Sequence, residues 1–208
     1  ISLGKKVGIV DLTRGELGTR GSAEIRDQEA AEAAKILGVS VRKNLGFRDG
    51  FFKNDEEHQL QIIECIRFFQ PDIVLCNAQS DRHIDHGRGA SLVSDACFLS
   101  GLVKVKTGTQ DAWRSKNVFH YMQWNNDAPD FVVDVSGFME PKKKAILAYG
   151  SQFFDPKSTE PTTPISTQGF LDNVFHRASD LGRLIGVAHA EGFTSQKMIG
   201  VHRLDLMI

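Results

Sequence analysis

Cysteine, net charge and long apolar runs are all scarce in this sequence of 208 residues. The three cysteines, Cys65, Cys76 and Cys97, lack CxxC spacing and lie in segments predicted as helix or strand, which favours reduced, packed thiols in a cytosolic protein. A net charge of -1 provides no global field that attracts nucleic acid or an anionic membrane. No apolar run approaches the ~20 residues that span a bilayer. We therefore expect a soluble, cytoplasmic protein that binds neither nucleic acid nor membrane.

Strand, loop and helix follow one another three times in the first half of the chain. The β-branched runs that predict strands are VGIVDLT, SVRKNLGF and DIVLCN, and the helical patterns after them are AEIRDQEAAEAAKIL, EEHQLQIIECIRFF and GRGASLVSDACFLSGL. Ser22 is the expected N-cap of the first helix, and Gly38 its C-terminal stop. Three such units predict parallel strands with right-handed helical crossovers, and hence a three-layer α/β/α sandwich with a mostly parallel sheet.

The second half of the chain is less regular. Two further strands are predicted at NVFHYMQ and DFVVDVS. A helix is predicted at KKKAILAYGSQF, with Pro141 at its first position, and a long amphipathic helix at FLDNVFHRASDLGRLIG, before VAHAEGF. Between the helices lies the loop DPKSTEPTTPISTQG, which we interpret as a surface or lid loop. Because no repeat or linker is visible, residues 1–208 are predicted to form a single domain.

The segment DRHIDHG, residues 81–87, places two histidines and two aspartates directly after a predicted buried strand. His83 and His86 are three residues apart, so both imidazoles face the same side if the segment enters a helical turn. In that arrangement one histidine can bind a metal ion, the other can donate a proton, and Asp85 can fix the tautomer of an imidazole. The alternative is a capped helix start whose histidines are merely exposed.

Two further polar loops, TRGELGTRG and RDGFF, also leave predicted strands. Ligands bind beyond the carboxyl ends of parallel strands, so we expect the three loops to converge on one crevice. Arg26, on the first turn of a helix, is a candidate for an anionic or hydroxylated substrate, or else an exposed arginine paired with Glu29. Asp49 is a second candidate, or else only a turn-former before Gly50.

These segments together carry a family likeness. The run VGIVDLTRGELGTRGSAEIRDQEAAEAAKILGV, followed by FRDGFF, PDIVL, DRHIDHG and AEGF, resembles the LmbE-like N-deacetylases, the superfamily of the N-acetylglucosaminyl-phosphatidylinositol deacetylases. More narrowly it is similar to the bacillithiol-pathway enzymes that deacetylate N-acetylglucosaminyl-malate. The likeness implies a Rossmann-like fold, a small N-acetyl sugar as substrate and a homo-oligomer, often a hexamer.

The resemblance also implies a set of roles for individual residues. The family's zinc is held by the His and last Asp of an N-terminal HPDD motif and by the last His of HxDH, which is His86 here. His83 matches the histidine that stabilises the oxyanion, as an imidazolium, and Asp85 matches the carboxylate beside it. Arg26 and Asp49 match positions that contact the sugar. A His/Asp site would also accept Fe²⁺, Co²⁺ or Mn²⁺.

The chain departs from the family pattern because HPDD does not occur in it. We expect the domain to be N-terminally incomplete, with an upstream strand and helix of about 20 to 30 residues in the native protein; otherwise the chain is inactive as it stands. The expected function is metal-dependent, zinc-dependent hydrolysis of an N-acetylglucosamine conjugate, most simply N-acetylglucosaminyl-malate. The alternatives are a deacetylase of another N-acetylated sugar and a non-catalytic sugar-binding module.

Overall fold

The computed structural model describes residues 1–203 and 205, which fall into two compact units. The first unit comprises residues 1–51 and 134–190, and the second comprises 52–133 and the described part of 191–208. In both units helices accompany short strands, so the predicted α/β class is confirmed. No helix in the described part of the chain has the length and apolar character needed to cross a membrane. The single-domain assignment stays a prediction.

The first unit contains a two-stranded parallel sheet and three α-helices. Strands β1 and β2 pair in parallel from Gly8 opposite Val41, and the register is interrupted once, between Asp11 and Thr13. A 3-10 helix, Ser136–Phe138, precedes α4. The elements are β1 Gly8–Thr13, α1 Ala23–Leu37, β2 Val41–Phe47, α4 Met139–Leu147 and α5 Gln168–Leu184.

Local sequence determines both ends of α1. The side chain of Ser22 accepts a hydrogen bond from the N–H of Ile25, which satisfies one of the free donors of the first turn. Gly38 has φ 71°, a left-handed conformation that glycine adopts without steric cost, and it ends the helix. The predicted helix from residue 23 to 37 is confirmed.

The second unit is built around a mixed sheet with the strand order β3-β4-β6-β5. β3 and β4 are parallel, whereas β4 and β6 are antiparallel, so the sheet is only partly parallel. The elements are α2 Glu56–Phe69, β3 Ile73–Cys76, α3 Ile84–Ser100, β4 Asn117–Tyr121, β5 Phe131–Asp134 and β6 Ala190–Ser195. The last residue of β5 and the first residue of β6 are assigned to the first unit.

Helices α2 and α3 supply much of the core of the second unit. Ile62, Ile63 and Ile66 form a buried apolar stripe on α2, whereas Phe69 at the end of the helix is 41% exposed. Arg67 is buried in the same helix, and its guanidinium donates to the carbonyls of Ser100, Leu102 and Val105 and to the hydroxyl of Thr107. These bonds satisfy a buried charge and hold the chain that follows α3.

Two helix boundaries and the burial of one strand differ from the prediction. Helix α3 begins at Ile84 and not at Gly87, so the HxDH residues belong to its first turn. Helix α4 begins at Met139, and Pro141 still lies in the first turn, where the missing N–H leaves no helical hydrogen bond unmade. Strand β3 was expected to be buried, yet Ile73 and Leu75, which point to the same face, are each 54% exposed, so that face of the strand is not covered.

Strand β6 was not predicted. Its sequence, AEGFTS, contains a glycine and several polar residues, which single-sequence patterns assign to a loop. A Cβ atom on Gly192 would lie 2.5 Å from the sulfur of Met122 and 3.0 Å from Pro129, so the glycine permits close packing against these neighbours.

A buried arginine ties the Pro/Thr/Ser-rich loop to the chain after β1, within the first unit. Arg20 is only 5% exposed; it donates to the carbonyl of Phe153 and the hydroxyl of Ser158, and it forms an ion pair with Glu160 at 3.5 Å. The N–H of Gly21 also donates to the Glu160 carboxylate, at 3.0 Å. The loop is therefore fastened through the side chains of Ser158 and Glu160, and the chain just before it through the carbonyl of Phe153.

Candidate functional site

His83 is the N-cap residue of α3. Its Nδ1 accepts a hydrogen bond from the backbone N–H of Asp85 at 3.2 Å. A nitrogen that accepts from an N–H does not itself carry a proton, so of the two neutral tautomers this geometry favours the one with its proton on Nε2. In that form the side chain can donate one hydrogen bond through Nε2, and the imidazolium that the resemblance implied stays a prediction.

His86 lies one turn further along the same helix and is oriented by a carboxylate. Its Nδ1 is 2.9 Å from Oδ2 of Asp81, whose side chain is fully buried. The ring centroids of His83 and His86 are 5.2 Å apart, so the spacing of three residues brings the two imidazoles together as predicted. With Nδ1 engaged by a carboxylate, the lone pair of Nε2 remains for a metal ion.

The Asp81 carboxylate has several hydrogen-bond donors. Oδ2 also accepts from the backbone N–H of Trp124 at 3.0 Å, and Oδ1 accepts from the N–H of Arg82 at 2.5 Å. Burial acts to raise the pKa of Asp81, but the hydrogen bonds from Trp124, His86 and Arg82 outweigh it, and the pKa lies below its usual value. Asp81 is therefore held as an anion beside the His86 ring.

The second carboxylate of the motif, Asp85, contacts a cation. Its Oδ1 accepts from Nη1 of Arg88 at 2.8 Å, and the Arg88 guanidinium lies over the ring of Phe52, 5.4 Å from its centroid. Asp85 is 9% exposed, so this pair neutralises a buried charge within the first turn of α3. The prediction placed Asp85 beside an imidazole; the structure shows it bound to His83 through its backbone and to Arg88 through its side chain.

Residues in β4 and just after it support the loop that carries HxDH, and sequence reasoning did not identify them. The side-chain oxygen of Gln123 accepts from Nδ2 of Asn77 at 3.1 Å and from the N–H of Ala78 at 3.0 Å. His120, which is 1% exposed, lies with its Nδ1 2.7 Å from the carbonyl of Asn77. These contacts fix the start of the loop, but they join segments more than forty positions apart, which no local pattern indicates.

In the first unit, the guanidinium of Arg26 lies inside the glycine-containing loop after β1. Nη2 donates to the carbonyl of Arg20 at 3.0 Å, and a Cβ atom on Gly15 would lie 3.1 Å from Nη1. A Cβ atom on Gly18 would overlap Nη2. The glycine spacing of GELG thus makes room for an arginine. Burial lowers the pKa of Arg26 although Glu29 and other acidic groups act in the opposite direction.

Asp49 connects two loops of the first unit. Its carboxylate accepts from the N–H of Leu17 at 3.1 Å and from the hydroxyl of Thr13 at 3.4 Å, and its own N–H donates to Glu16 at 2.7 Å. These bonds give Asp49 a structural function beyond that of a turn-former. The convergence of Arg26 and Asp49 with the HxDH residues on one crevice stays a prediction, because the two groups belong to different units.

The chemistry of His86 fits one position of the metal site that the HxDH motif implies. The imidazole has a carboxylate behind its Nδ1, an arrangement common among metal-binding histidines. Within residues 1–203 and 205, no group of three or more His, Cys, Asp or Glu side chains could hold a metal ion. The described residues therefore match a part of the three-ligand set that catalytic zinc requires.

The family model and a curated relative that match this chain are both described as deacetylases. The family model of PIG-L, GlcNAc-PI de-N-acetylase, matches residues 1–97. A diacetylchitobiose deacetylase of Thermococcus kodakarensis is 28% identical over 150 residues, which cover 70% of this chain and 56% of that protein. The match thus spans little more than half the length of this curated relative.

Solved structures extend the likeness over nearly the whole chain. A conserved protein of Thermus thermophilus is 34% identical, with a TM-score of 0.84 over 97% of this chain and 86% of that one. The N,N'-diacetylchitobiose deacetylase of Pyrococcus horikoshii, solved with an inhibitor, is 26% identical, with a TM-score of 0.78 over 99% of this chain and 79% of that one. These likenesses support the predicted superfamily: the chain is similar to PIG-L, or LmbE-like, proteins over residues 1–97 and to solved structures over nearly its whole length.

Proposed function

We propose that this chain carries the histidine part of a metal-dependent active site that hydrolyses the N-acetyl group of an amino sugar. The observation that carries the proposal is the first turn of α3, where His83 and His86 lie side by side and Asp81 holds His86. Similarity to two diacetylchitobiose deacetylases supports the substrate class.

The two histidines have different roles in the proposed reaction. A divalent metal on Nε2 of His86, zinc or else Fe²⁺, Co²⁺ or Mn²⁺, would polarise the acetamide carbonyl and lower the pKa of a bound water. Water adds to the carbonyl carbon, the C–N bond breaks, and acetate and a free amine leave. The Nε2–H of His83 donates to the carbonyl oxygen as negative charge develops there, a contribution of ~10²-fold to 10³-fold in rate for one such donor.

Arg26 and Asp49 are proposed to act on the sugar side of the substrate. The Arg26 guanidinium, half-buried in its glycine loop, keeps its charge there, since arginine stays protonated in proteins. Asp49 is a hydrogen-bond acceptor that suits hydroxyl groups. The proposed substrate is N-acetylglucosaminyl-malate. Its main rival is diacetylchitobiose, because the two named relatives are diacetylchitobiose deacetylases.

A deacetylation panel tests this function. The chain, and the longest polypeptide that its reading frame encodes, are incubated with Zn²⁺, Fe²⁺, Co²⁺ or Mn²⁺ and with N-acetylglucosaminyl-malate, diacetylchitobiose or N-acetylglucosamine, and amine release is measured. We expect release from one conjugate, and a loss of both activity and bound metal in His86→Ala. His58→Ala is the matched control, since His58 also pairs with a carboxylate, that of Asp55, on α2.

Three outcomes separate the candidates. Release from only one conjugate identifies the substrate among the sugars. Binding of a sugar without amine release from either polypeptide would replace the enzyme by the second candidate, a sugar-binding module. Retention of stoichiometric metal in His86→Ala would remove His86 from the ligand set. The proposed homo-oligomer is checked on the same samples by sedimentation.

A further inference from the structure

We propose that Asp81 is the positioning residue of His86: its carboxylate fixes the imidazole in the tautomer that leaves Nε2 bare for a metal ion. This inference rests on the proposed function for its catalytic meaning. It concerns a residue that the HxDH pattern does not include, because Asp81 precedes the motif by two positions.

The geometry around Asp81 directs one oxygen at the ring. Oδ1 is engaged by the N–H of Arg82, whereas Oδ2 lies between the N–H of Trp124 and Nδ1 of His86. An ionised carboxylate can accept hydrogen bonds but cannot donate them, so the proton between Oδ2 and Nδ1 belongs to the ring. In the neutral ring, Nε2 is then the nitrogen without a proton.

The two aspartates of the segment have separate partners. The Asp85 side chain binds Arg88 at 2.8 Å, and that of Asp81 binds His86 at 2.9 Å. His83 is held differently again, by the N–H of Asp85 at its Nδ1, which leaves the proton of that ring on Nε2. When both rings are neutral, the same turn of helix therefore presents one bare Nε2 and one protonated Nε2, which are the states that a metal ligand and a hydrogen-bond donor require.

A purely structural role for Asp81 is the competing explanation, since its carboxylate also caps two backbone N–H groups. Gln123 provides a matched control for that role. It supports the same loop through Asn77 and Ala78, and neither of these hydrogen bonds involves a histidine. If loop support were all that Asp81 provides, Gln123→Ala would affect His86 in the same way.

The test measures the tautomer of His86 directly, by ¹⁵N NMR of the metal-free chain under alkaline conditions where imidazoles are neutral. We expect the wild-type ring to carry its proton on Nδ1, and Asp81→Ala to shift the ring toward the Nε2–H form. Asp81→Asn keeps the volume and an acceptor oxygen, so it should retain much of the Nδ1–H form. His58 serves as an internal reference, because its own Nδ1 partner is Asp55.

Zn²⁺ alone is then titrated into each variant of the longest polypeptide that the reading frame encodes, and binding is followed at the Nε2 resonance of His86. Asp81→Ala is expected to weaken zinc binding by ~10-fold to 100-fold, the usual effect of removing a carboxylate behind a ligand histidine, with Asp81→Asn intermediate and Gln123→Ala close to wild type. An unchanged tautomer in Asp81→Ala, or an equal shift in Gln123→Ala, would overturn the proposal.

These measurements are independent of the deacetylase assay. If no sugar released an amine while Asp81→Ala still shifted the tautomer, the proposed function would fail and the role of Asp81 would stand. If amine release were found but the tautomer did not respond to Asp81, the function would stand and His86 would owe its orientation to other contacts.

Discussion

The guanidinium of Arg26 occupies the space in which a side chain on Gly18 would lie. The backbone of Gly18 is not in the left-handed conformation that favours glycine. Glycine is therefore required at this position by the close packing of Arg26 and not by the backbone conformation. Gly18→Ala is therefore expected to lower the free energy of unfolding by ~1 to 3 kcal/mol, the range for an added methyl group in a packed site. Chemical denaturation measures the loss.

The control for this change is Gly137→Ala, because a Cβ atom on Gly137 would have nothing within 4 Å, and its effect should stay within ~0.5 kcal/mol. In an Arg26→Ala background the cost of Gly18→Ala should largely disappear, since the two groups compete for one space. Equal costs of Gly18→Ala with and without Arg26 would show that the guanidinium does not fill this site in solution.

His83 is expected to affect turnover and not metal binding. His83→Ala removes the Nε2–H donor, so kcat for the sugar identified by the panel should fall by ~10²-fold to 10³-fold, with bound metal unchanged in elemental analysis. His83→Gln restores an N–H donor and should recover part of kcat. A kcat unchanged by His83→Ala would exclude the residue from the reaction.

Arg26 is expected to affect substrate binding. Arg26→Ala should raise KM for the sugar more than it lowers kcat, since a group that contacts only the sugar contributes to ground state and transition state alike. Arg14→Ala is the control, because Arg14 pairs with Asp27 on the surface of the same unit. If KM stays unaltered while thermal stability falls, Arg26 serves the glycine loop alone.

The buried thiols predict a loss of stability at alkaline pH. Burial raises the pKa of Cys76 to about 12, with a smaller effect from Cys97, and burial also raises the pKa of Cys97 to about 12. Unfolded thiols ionise near pH ~8.5. Because the folded pKa is the higher one, this stabilisation is complete below ~8.5 and is lost progressively as the pH rises toward about 12.

The measurement is denaturant unfolding in a reducing buffer across that pH window. Other groups titrate there as well, so the comparison is between the wild-type chain and a Cys76→Ala/Cys97→Ala variant. The variant should start less stable, because it lacks two buried side chains, and should lose stability less steeply with pH. Parallel curves for the two proteins would contradict the assignment of this pH dependence to the thiols.

Structural features that depend on interactions between residues close together in the chain were predictable from the sequence. Helix α1 is an example, since Ser22 and Gly38 act on backbone groups three or four residues away. The pairing of His83 with His86 likewise follows from helical spacing, once α3 is known to begin at Ile84. In both cases the determining interactions are local.

Features that depend on distant segments were not predictable. Strand β6 forms because Phe193 and its neighbours pair with β4, far earlier in the chain, and its own composition gives no strand pattern. The link between Asp81 and His86 spans only five residues, but it depends on the loop conformation, to which the Trp124 N–H and the Gln123 side chain contribute. Tertiary pairing, and not local propensity, determines both.

The ion pair between buried Arg20 and partly exposed Glu160 links two positions that have no other reason to vary together. Loss of Glu160 would leave a guanidinium that is 5% exposed without its carboxylate, whereas loss of Arg20 would release the Phe153–Glu160 segment from three anchoring contacts. Homologous chains that replace one of these residues should therefore carry a compensating replacement at the other, so the pair provides an evolutionary marker for how the Pro/Thr/Ser-rich loop is fastened.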